Sequence, residues 1–231
     1  EIFDEFDEDR LDRRVRLSKA LGRNLTVFGG YYNGDIVVSD ISAPFGGIVP
    51  PDGATIPEAI FDMEGHSDLI GGLFDVRYRN LDTALNPREG IDVSWANGVY
   101  GGVFGGDWDF VRSDLDVDGY WQVGDPSQSV RSGFHIGFGA GVGQAYGSTD
   151  EVPYTERFFS GGSRQGRGFE YHGIGPNVGD TPIGGSTMLD GTVEFRIPLY
   201  KVVQPGSYRE QEIFRMTLFT DAVILDPESF H

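Results

Sequence analysis

The sequence predicts an all-β chain, about eight strands of an antiparallel transmembrane β-barrel, and three observations carry that expectation. Stretch after stretch alternates with period two, apolar on one parity and charged or glycine on the other, which is the side-chain period of a strand. The connections alternate between short and long, as in a barrel that turns tightly on one side of a membrane and loops out on the other. No run reaches the ~18 to 20 apolar residues of a spanning helix, whereas a spanning strand needs only ~9 to 11.

From the N-terminus, two less regular strands fit near Asp12 to Ala20 and Asn24 to Val38, joined by the short Leu21-Gly22-Arg23. A long connection, Ser39 to Gly65, leads to a strand near Leu69 to Arg79, with Ile70, Phe74, Val76 and Tyr78 opposite Asp75, Arg77 and Arg79. The short Asn80 to Glu89, containing Asn86-Pro87, precedes a less regular strand from Gly90 to Val103. From Trp108 to Val123, Val111, Leu115, Val117, Trp121 and Val123 oppose Arg112, Asp114, Asp116, Asp118, Tyr120 and Gln122. Charges in that number cannot enter a dry core, but they can line a wet lumen.

The turn Gly124 to Ser129, with its Asp125-Pro126, leads into the most regular alternation of all, Val130 to Tyr146. Val130, Phe134, Ile136, Phe138, Ala140 and Val142 share one parity; Arg131, Gly133, His135, Gly137, Gly139, Gly141 and Gly143 share the other. A face of almost bare backbone suits a tightly packed insert. After the long connection Gly147 to Gly184, the stretch Ser186 to Leu199 sets Leu189, Val193, Phe195, Ile197 and Leu199 against Met188, Asp190, Thr192, Glu194 and Arg196. In the last, Glu212 to Ile224, Phe214, Met216, Leu218 and Ala222 oppose Arg215, Thr217 and Asp221. Tyr31, Tyr32, Tyr78, Tyr100, Trp108, Tyr146 and Tyr200 fall near predicted strand ends, the place of an aromatic girdle.

Composition narrows the function classes. A net charge of −18 over 231 residues leaves no basic stripe for phosphates, which excludes nucleic acid as a partner. With no cysteine, disulfides, thiolate metal sites and cysteine nucleophiles are excluded. A soluble β-sandwich or lipocalin-like barrel also alternates, but it would expose apolar faces larger than a soluble monomer carries.

The most informative segment is Glu156 to Pro176, a glycine-rich loop holding Arg167 between Gly166 and Gly168, followed by Phe169. Gly161, Gly162, Gly166, Gly175 and Pro176 shape the loop, and a guanidinium delivered this way calls for a carboxylate. Strand parity puts Glu194 and Asp221 on the charged face, together with Asp114, Asp116, Asp118 and Asp190. Asp114, Asp116, Asp118 and Gly119, with Asp125 at the twelfth position, fit the pattern of a calcium loop; an extended strand would separate the outermost carboxylates by about 13 Å, too far for one ion. Glu170 and His172 read as loop contacts, Ser163 and Ser186 lack a nucleophile elbow, and His66, His135 and His231 form no constellation. No enzyme site and no cofactor are expected.

From Phe158 to Pro176 the chain resembles the loop signature of the BamA/TamA-type outer-membrane insertase superfamily, the bacterial surface antigen barrels. Relatives carry Gly-Gly, then Val-Arg-Gly-Phe, then Gly-Pro; here the tetrapeptide is Gly166-Arg167-Gly168-Phe169, with glycine in place of the usual valine. Val193-Glu194-Phe195-Arg196-Ile197-Pro198-Leu199 resembles the family's twelfth strand, Leu218-Phe219-Thr220-Asp221-Ala222 its thirteenth, and Asn86-Pro87-Arg88-Glu89-Gly90 a periplasmic turn. The resemblance implies that residues 1–231 are the sixth to thirteenth strands of one sixteen-stranded barrel domain, a piece whose open edges need further strands. It implies that residues 147–184 fold back into the lumen, that Arg167 with Gly168 and Phe169 meets Glu194 and Asp221 there as a latch, with which strand parity agrees, and that the barrel sits in the bacterial outer membrane. The implied function is assembly or insertion of outer-membrane proteins, with outer-membrane lipids, nascent outer-membrane proteins, periplasmic domains and accessory lipoproteins as partners. A two-partner secretion transporter, a barrel fused to a patatin-like lipase and a calcium-binding β-protein are the alternatives.

Overall fold

The computed structural model describes residues 7–39, 63–125, 127–128, 130–163, 165–178, 181–203 and 210–227, and the alternating stretches within it are strands. In chain order these are β1 (Asp7–Ala20), β2 (Leu25–Ser39), β3 (Gly65–Leu81), β4 (Gly90–Tyr100), β5 (Phe110–Val123) and β6 (Ser132–Ala145). Two short strands, β7 (Asn177–Val178) and β8 (Thr181–Pro182), precede β9 (Thr187–Val203) and β10 (Glu210–Asp226). Among the described residues the eight long strands form one antiparallel sheet in the order β1-β2-β3-β4-β5-β6-β9-β10, while β7 and β8 pair with each other. The sheet is open, with β1 and β10 outermost. Most of the predicted connection Ser39 to Gly65, together with Pro126 and the chain's last residues, lies outside the described residues.

The register carries one parity across the whole sheet. Phe74 pairs with Asn97, Val99 with Val111, Val117 with Phe138, and Ile136 with Val193. Leu17, Phe74, Trp95, Trp121, Phe138, Val193 and Leu218 all stand exposed on this face. So broad an apolar surface needs a hydrocarbon solvent, which a membrane supplies. The opposite, luminal parity carries Asp75, Arg77, Asp114, Asp116, Asp118, Asp190, Glu194 and Asp221.

Two expectations are corrected. The strand predicted to run to Val103 ends at Tyr100, because Gly101 and Gly102, with φ of 79° and 53°, turn the chain into a 3-10 turn at Gly102–Phe104. Asp109 secures this turn by accepting the Gly102 N–H at 2.6 Å, and the next strand starts at Phe110 rather than Trp108. The aromatic girdle also loses members, because Tyr32 is 2% exposed and Tyr100 stacks on Phe110 at 4.6 Å. Both face inward with Ile36, Val38, Met63, Leu69, Phe110 and Val152 in one buried cluster, and Trp108 packs against it. The lumen is therefore not uniformly wet: next to the long connections it closes over a dry core. Tyr31, Tyr78 and Tyr200 remain exposed.

Candidate functional site

The segment between β6 and β9 is seated on the luminal face, and its root is fixed before its tip. Gly143 on β6 donates its N–H to the Ser186 carbonyl at 2.7 Å, and Phe158 and Gly185 exchange two backbone hydrogen bonds of 2.9 Å. Arg157, buried, staples the two arms: Nε donates to the Val152 carbonyl at 3.0 Å, Nη1 to that of Ile183 at 3.3 Å, and Nη2 to Glu151 at 2.6 Å. The glycine face of β6 makes this possible. A Cβ at Gly141 would stand 2.5 Å from the Phe158 ring, and one at Gly139 would stand 2.0 Å from an Asp190 oxygen.

Beyond the root, the tip folds on itself. Gly161 donates to the Gln165 carbonyl at 3.1 Å, Gly162 to that of Phe169 at 3.2 Å, and Phe169 to that of Gly166 at 3.2 Å. Gly166 occupies the left-handed region with φ 66°, where a β-branched side chain is strained. Its missing side chain is replaced by a neighbour, since a Cβ there would meet Ile174 Cδ1 at 2.3 Å. A side chain at position 166 would therefore require both a left-handed backbone and a shift of Ile174. Gly175 lies against Leu225 of β10, and the Pro176 carbonyl accepts from Ile183 at 3.0 Å.

This turn presents Arg167 to β9 and β10. Its backbone N–H and Nε donate to Asp221 Oδ2 at 3.0 and 2.8 Å, and Nη2 donates to Asp221 Oδ1 at 2.7 Å. Nη1 donates to Glu194 Oε1 at 2.6 Å, Nη2 also reaches Thr192 Oγ1 at 2.8 Å, and Thr192 in turn donates to Asp221 at 2.7 Å. Below lies Phe219, with its ring centroid 3.8 Å from the guanidinium carbon. The Asp221 and Glu194 side chains are 8% and 11% exposed, so these are charge-assisted contacts largely shielded from water. They hold the Arg167 proton above the group's ordinary range, Asp221 contributing most. Phe169, the last residue of the tetrapeptide, is exposed and makes no part of the contact.

Several participants escaped sequence reasoning. Arg196 donates to Glu194 Oε2 at 2.9 Å, so Arg167 and Arg196 balance Glu194 and Asp221. His135, read as isolated, stands between strands: its Nε2 is 2.6 Å from Asp118, and its Nδ1 is 3.3 Å from Glu194 without the alignment of a hydrogen bond. It also stacks on Tyr120 at 4.6 Å. Parity could have found Thr192, Arg196 and Phe219, which share the luminal face with Glu194 and Asp221. Asp114, Asp116 and Asp118 do not converge. Asp114 pairs with Arg112, Asp116 accepts from Ser94 and Asp118 faces His135, as expected of alternate residues on an extended strand. Among the described residues the group whose geometry could hold a cation is instead Asp35, His66 and Asp68. His172 stacks between Phe159 and Tyr171, and burial there lowers its pKa.

Known proteins share both sequence and fold with this chain. Residues 13–226 match the Omp85 superfamily domain. The outer membrane protein assembly factor BamA of Neorickettsia risticii is 32% identical over 149 residues, covering 62% of this chain and 18% of the relative. That of Nitratidesulfovibrio vulgaris is 28% identical over 200 residues, covering 84% of this chain and 23% of the relative. The crystal structure of Haemophilus ducreyi BamA lacking POTRA domains 1–3 superposes with a TM-score of 0.74 at 17% identity, covering 95% of this chain and 42% of that one. The chain thus spans less than a quarter of the length of these curated relatives. An open antiparallel sheet with an apolar outer face, a loop laid along its charged inner face and a domain match over residues 13–226 place the chain in the Omp85 superfamily.

Proposed function

We propose that this chain is part of the barrel of an outer-membrane protein assembly factor of the BamA kind, working in the bacterial outer membrane. The observation that carries the reading is the arginine of the returning loop seated between Asp221 and Glu194, in a chain whose curated relatives are named assembly factors. Insertion of a nascent barrel requires main-chain hydrogen bonds to be offered at an open strand edge, a form of β-augmentation. The rest of the wall must then stay closed, because unpaired backbone in hydrocarbon costs several kcal/mol per group. The loop supplies that firmness: Arg167 binds β9 and β10 together, and its root locks onto β6. The loop acts by holding, and no chemical step is assigned to it. Nascent outer-membrane proteins are the substrates, outer-membrane lipids are the solvent of the outer face, and periplasmic domains and accessory lipoproteins are the further partners.

The test is insertion of an unfolded outer-membrane protein into liposomes carrying the full-length protein. The Asp221→Asn variant is expected to slow insertion while the protein remains in the membrane. Wild-type insertion rates in Asp221→Asn, with the loop released, would refute the brace. Failure of the wild-type protein to accelerate insertion would refute the assembly reading.

A further inference from the structure

The Arg167 contact holds the tip of the loop; its root carries another charged contact on the far side of the sheet. Glu156 lies in the 3-10 turn Tyr154–Glu156 and is 7% exposed. Its Oε1 accepts from Nη2 of Arg10 on β1 at 2.6 Å, and its Oε2 lies 3.8 Å from Nη1 of Arg112 on β5. The same Nη1 donates to the Glu156 backbone carbonyl at 2.8 Å. Both arginines are held in place by further contacts. Arg10 donates to the Tyr32 hydroxyl at 2.7 Å and to Asp12 at 2.9 Å. Arg112 donates to Asp114 at 3.1 Å and lies over the Phe158 ring at 4.3 Å.

The distance spanned is what makes this contact informative. Between β1 and β5 lie β2, β3 and β4, so a flat sheet would separate the two strands by about 19 Å at ~4.8 Å per neighbour. One carboxylate meets arginines from both only if the sheet curls around it. β1 is paired on one side, to β2, so within the described sheet this contact ties its luminal face to the strands beyond. The burial of Glu156 removes the bland alternative of a solvated ion pair, which would contribute little.

We propose that Glu156 is a cross-lumen tether, which makes the loop a crossbar held at two points. Glu156 draws β1 toward β5, while Arg167 joins β9 to β10, so the loop sets the curvature of the wall. The inference rests on the reading of the loop as a brace and adds a second, separately removable anchor.

The chain has no cysteine, so spin labels can be placed at Val15→Cys on β1 and Val111→Cys on β5 in a full-length protein otherwise free of cysteine, reconstituted in liposomes. Glu156→Gln keeps the shape of the side chain and removes its charge. It is expected to lengthen and broaden the β1–β5 distance distribution, and to raise the rate of proteolysis at the loop root by about tenfold, since cleavage follows the population of the open state. Arg10→Gln is expected to do the same, and the double variant to go no further than either single one. Arg167→Ala is expected to release the tip while leaving the β1–β5 distance in place, so the two anchors are read separately. An unchanged distance in Glu156→Gln, or effects of Glu156→Gln and Arg10→Gln that simply add, would overturn the tether. If Glu156→Gln fails to fold, the distance and cleavage rate in Arg10→Gln decide the matter alone.

Discussion

Replacing Arg167 by alanine leaves two carboxylates with unequal fortunes, and that inequality fixes the size of the effect. Glu194 keeps Arg196 at 2.8 Å and His135 nearby. Asp221, 8% exposed, loses both of its bonds from the guanidinium and retains the backbone N–H of position 167 at 3.0 Å and the Thr192 hydroxyl at 2.7 Å. Stranding one partner of a buried pair costs about 3–5 kcal/mol, and the lost stacking of the guanidinium on Phe219 adds up to about 1 kcal/mol. The expected loss in Arg167→Ala is therefore about 3–6 kcal/mol, most of it arising at Asp221. Adding Asp221→Ala removes the stranded anion, so the double variant should be more stable than the sum of the single losses, with a coupling of about 2–3 kcal/mol. Arg167→Lys should fall between, since an ammonium cannot reach both carboxylates in the planar fork of a guanidinium. Equilibrium unfolding of the full-length protein in denaturant, followed by tryptophan fluorescence, measures each value, and limited proteolysis reports release of the loop. If Arg167→Ala costs less than about 0.5 kcal/mol and its loss adds to that of Asp221→Ala, the loop arginine is not bracing the wall.

Three further outcomes test the local geometry. Gly166→Val restores the residue usual in related loops but places a β-branched side chain at φ 66°, 2.3 Å from Ile174 Cδ1. It should destabilise by about 2 kcal/mol in thermal melts, and Ile174→Ala should relieve part of that. Asp109, outside the strands, has its pKa lowered by the backbone N–H groups of Gly102 and Ser148. A depressed folded-state pKa means that the contribution is complete above the ordinary carboxylate range and is lost as pH falls through the folded value. Protection of the Gly102 amide, its exchange corrected for the intrinsic rate at each pH, should fall on acidification, and Asp109→Asn should abolish that change. Val193→Lys, on the outer parity of β9, should cost about 2–4 kcal/mol in lipid; an equally small effect in lipid and in a soluble state would reverse the assignment of faces.

How much of this was legible depends on whether the two faces of a strand differ chemically. On β5, β9 and β10 they differ sharply, so parity alone put Glu194 and Asp221 on one wall. On β2 they do not: Tyr31 and Val37 alternate with Tyr32, Ile36 and Val38, and only packing reveals that the second set forms a buried luminal core. Phe219 is placed on the luminal face by the parity of Asp221, but an apolar ring gives no sign of a charged contact, and only the register sets it opposite Glu194. Glu156 could not be found by period, since a loop has none. Its partners, Arg10 and Arg112, lie far from it in sequence and come together only when the sheet curls.

The bare face of β6 and the charged loop explain one another. Gly133, Gly137, Gly139, Gly141 and Gly143 lie on the luminal parity of one strand. At about 0.5–1 kcal/mol each relative to alanine, five glycines in a strand cost about 3–5 kcal/mol. Two of the five serve the loop, since a Cβ at Gly141 would stand 2.5 Å from the Phe158 ring and one at Gly143 3.1 Å from Val152, whereas Gly133 and Gly137 make room for Trp121 and Thr192 of the sheet. Gly139 instead lets the Asp190 carboxylate of β9 lie across the strand, so the trough is flanked by acidic residues from β5 and β9. Arg112 and Arg196 of the sheet already face Asp114 and Glu194, but an apolar insert would leave Asp221 without the guanidinium that it binds. The loop brings Arg167 to Glu194 and Asp221, and its Phe158 holds Arg112 beside Asp114. Releasing the loop would keep the glycine cost and lose the Phe158 and Val152 packing that fills the trough, so it should soften β6 and β9 together rather than leave an empty but intact barrel.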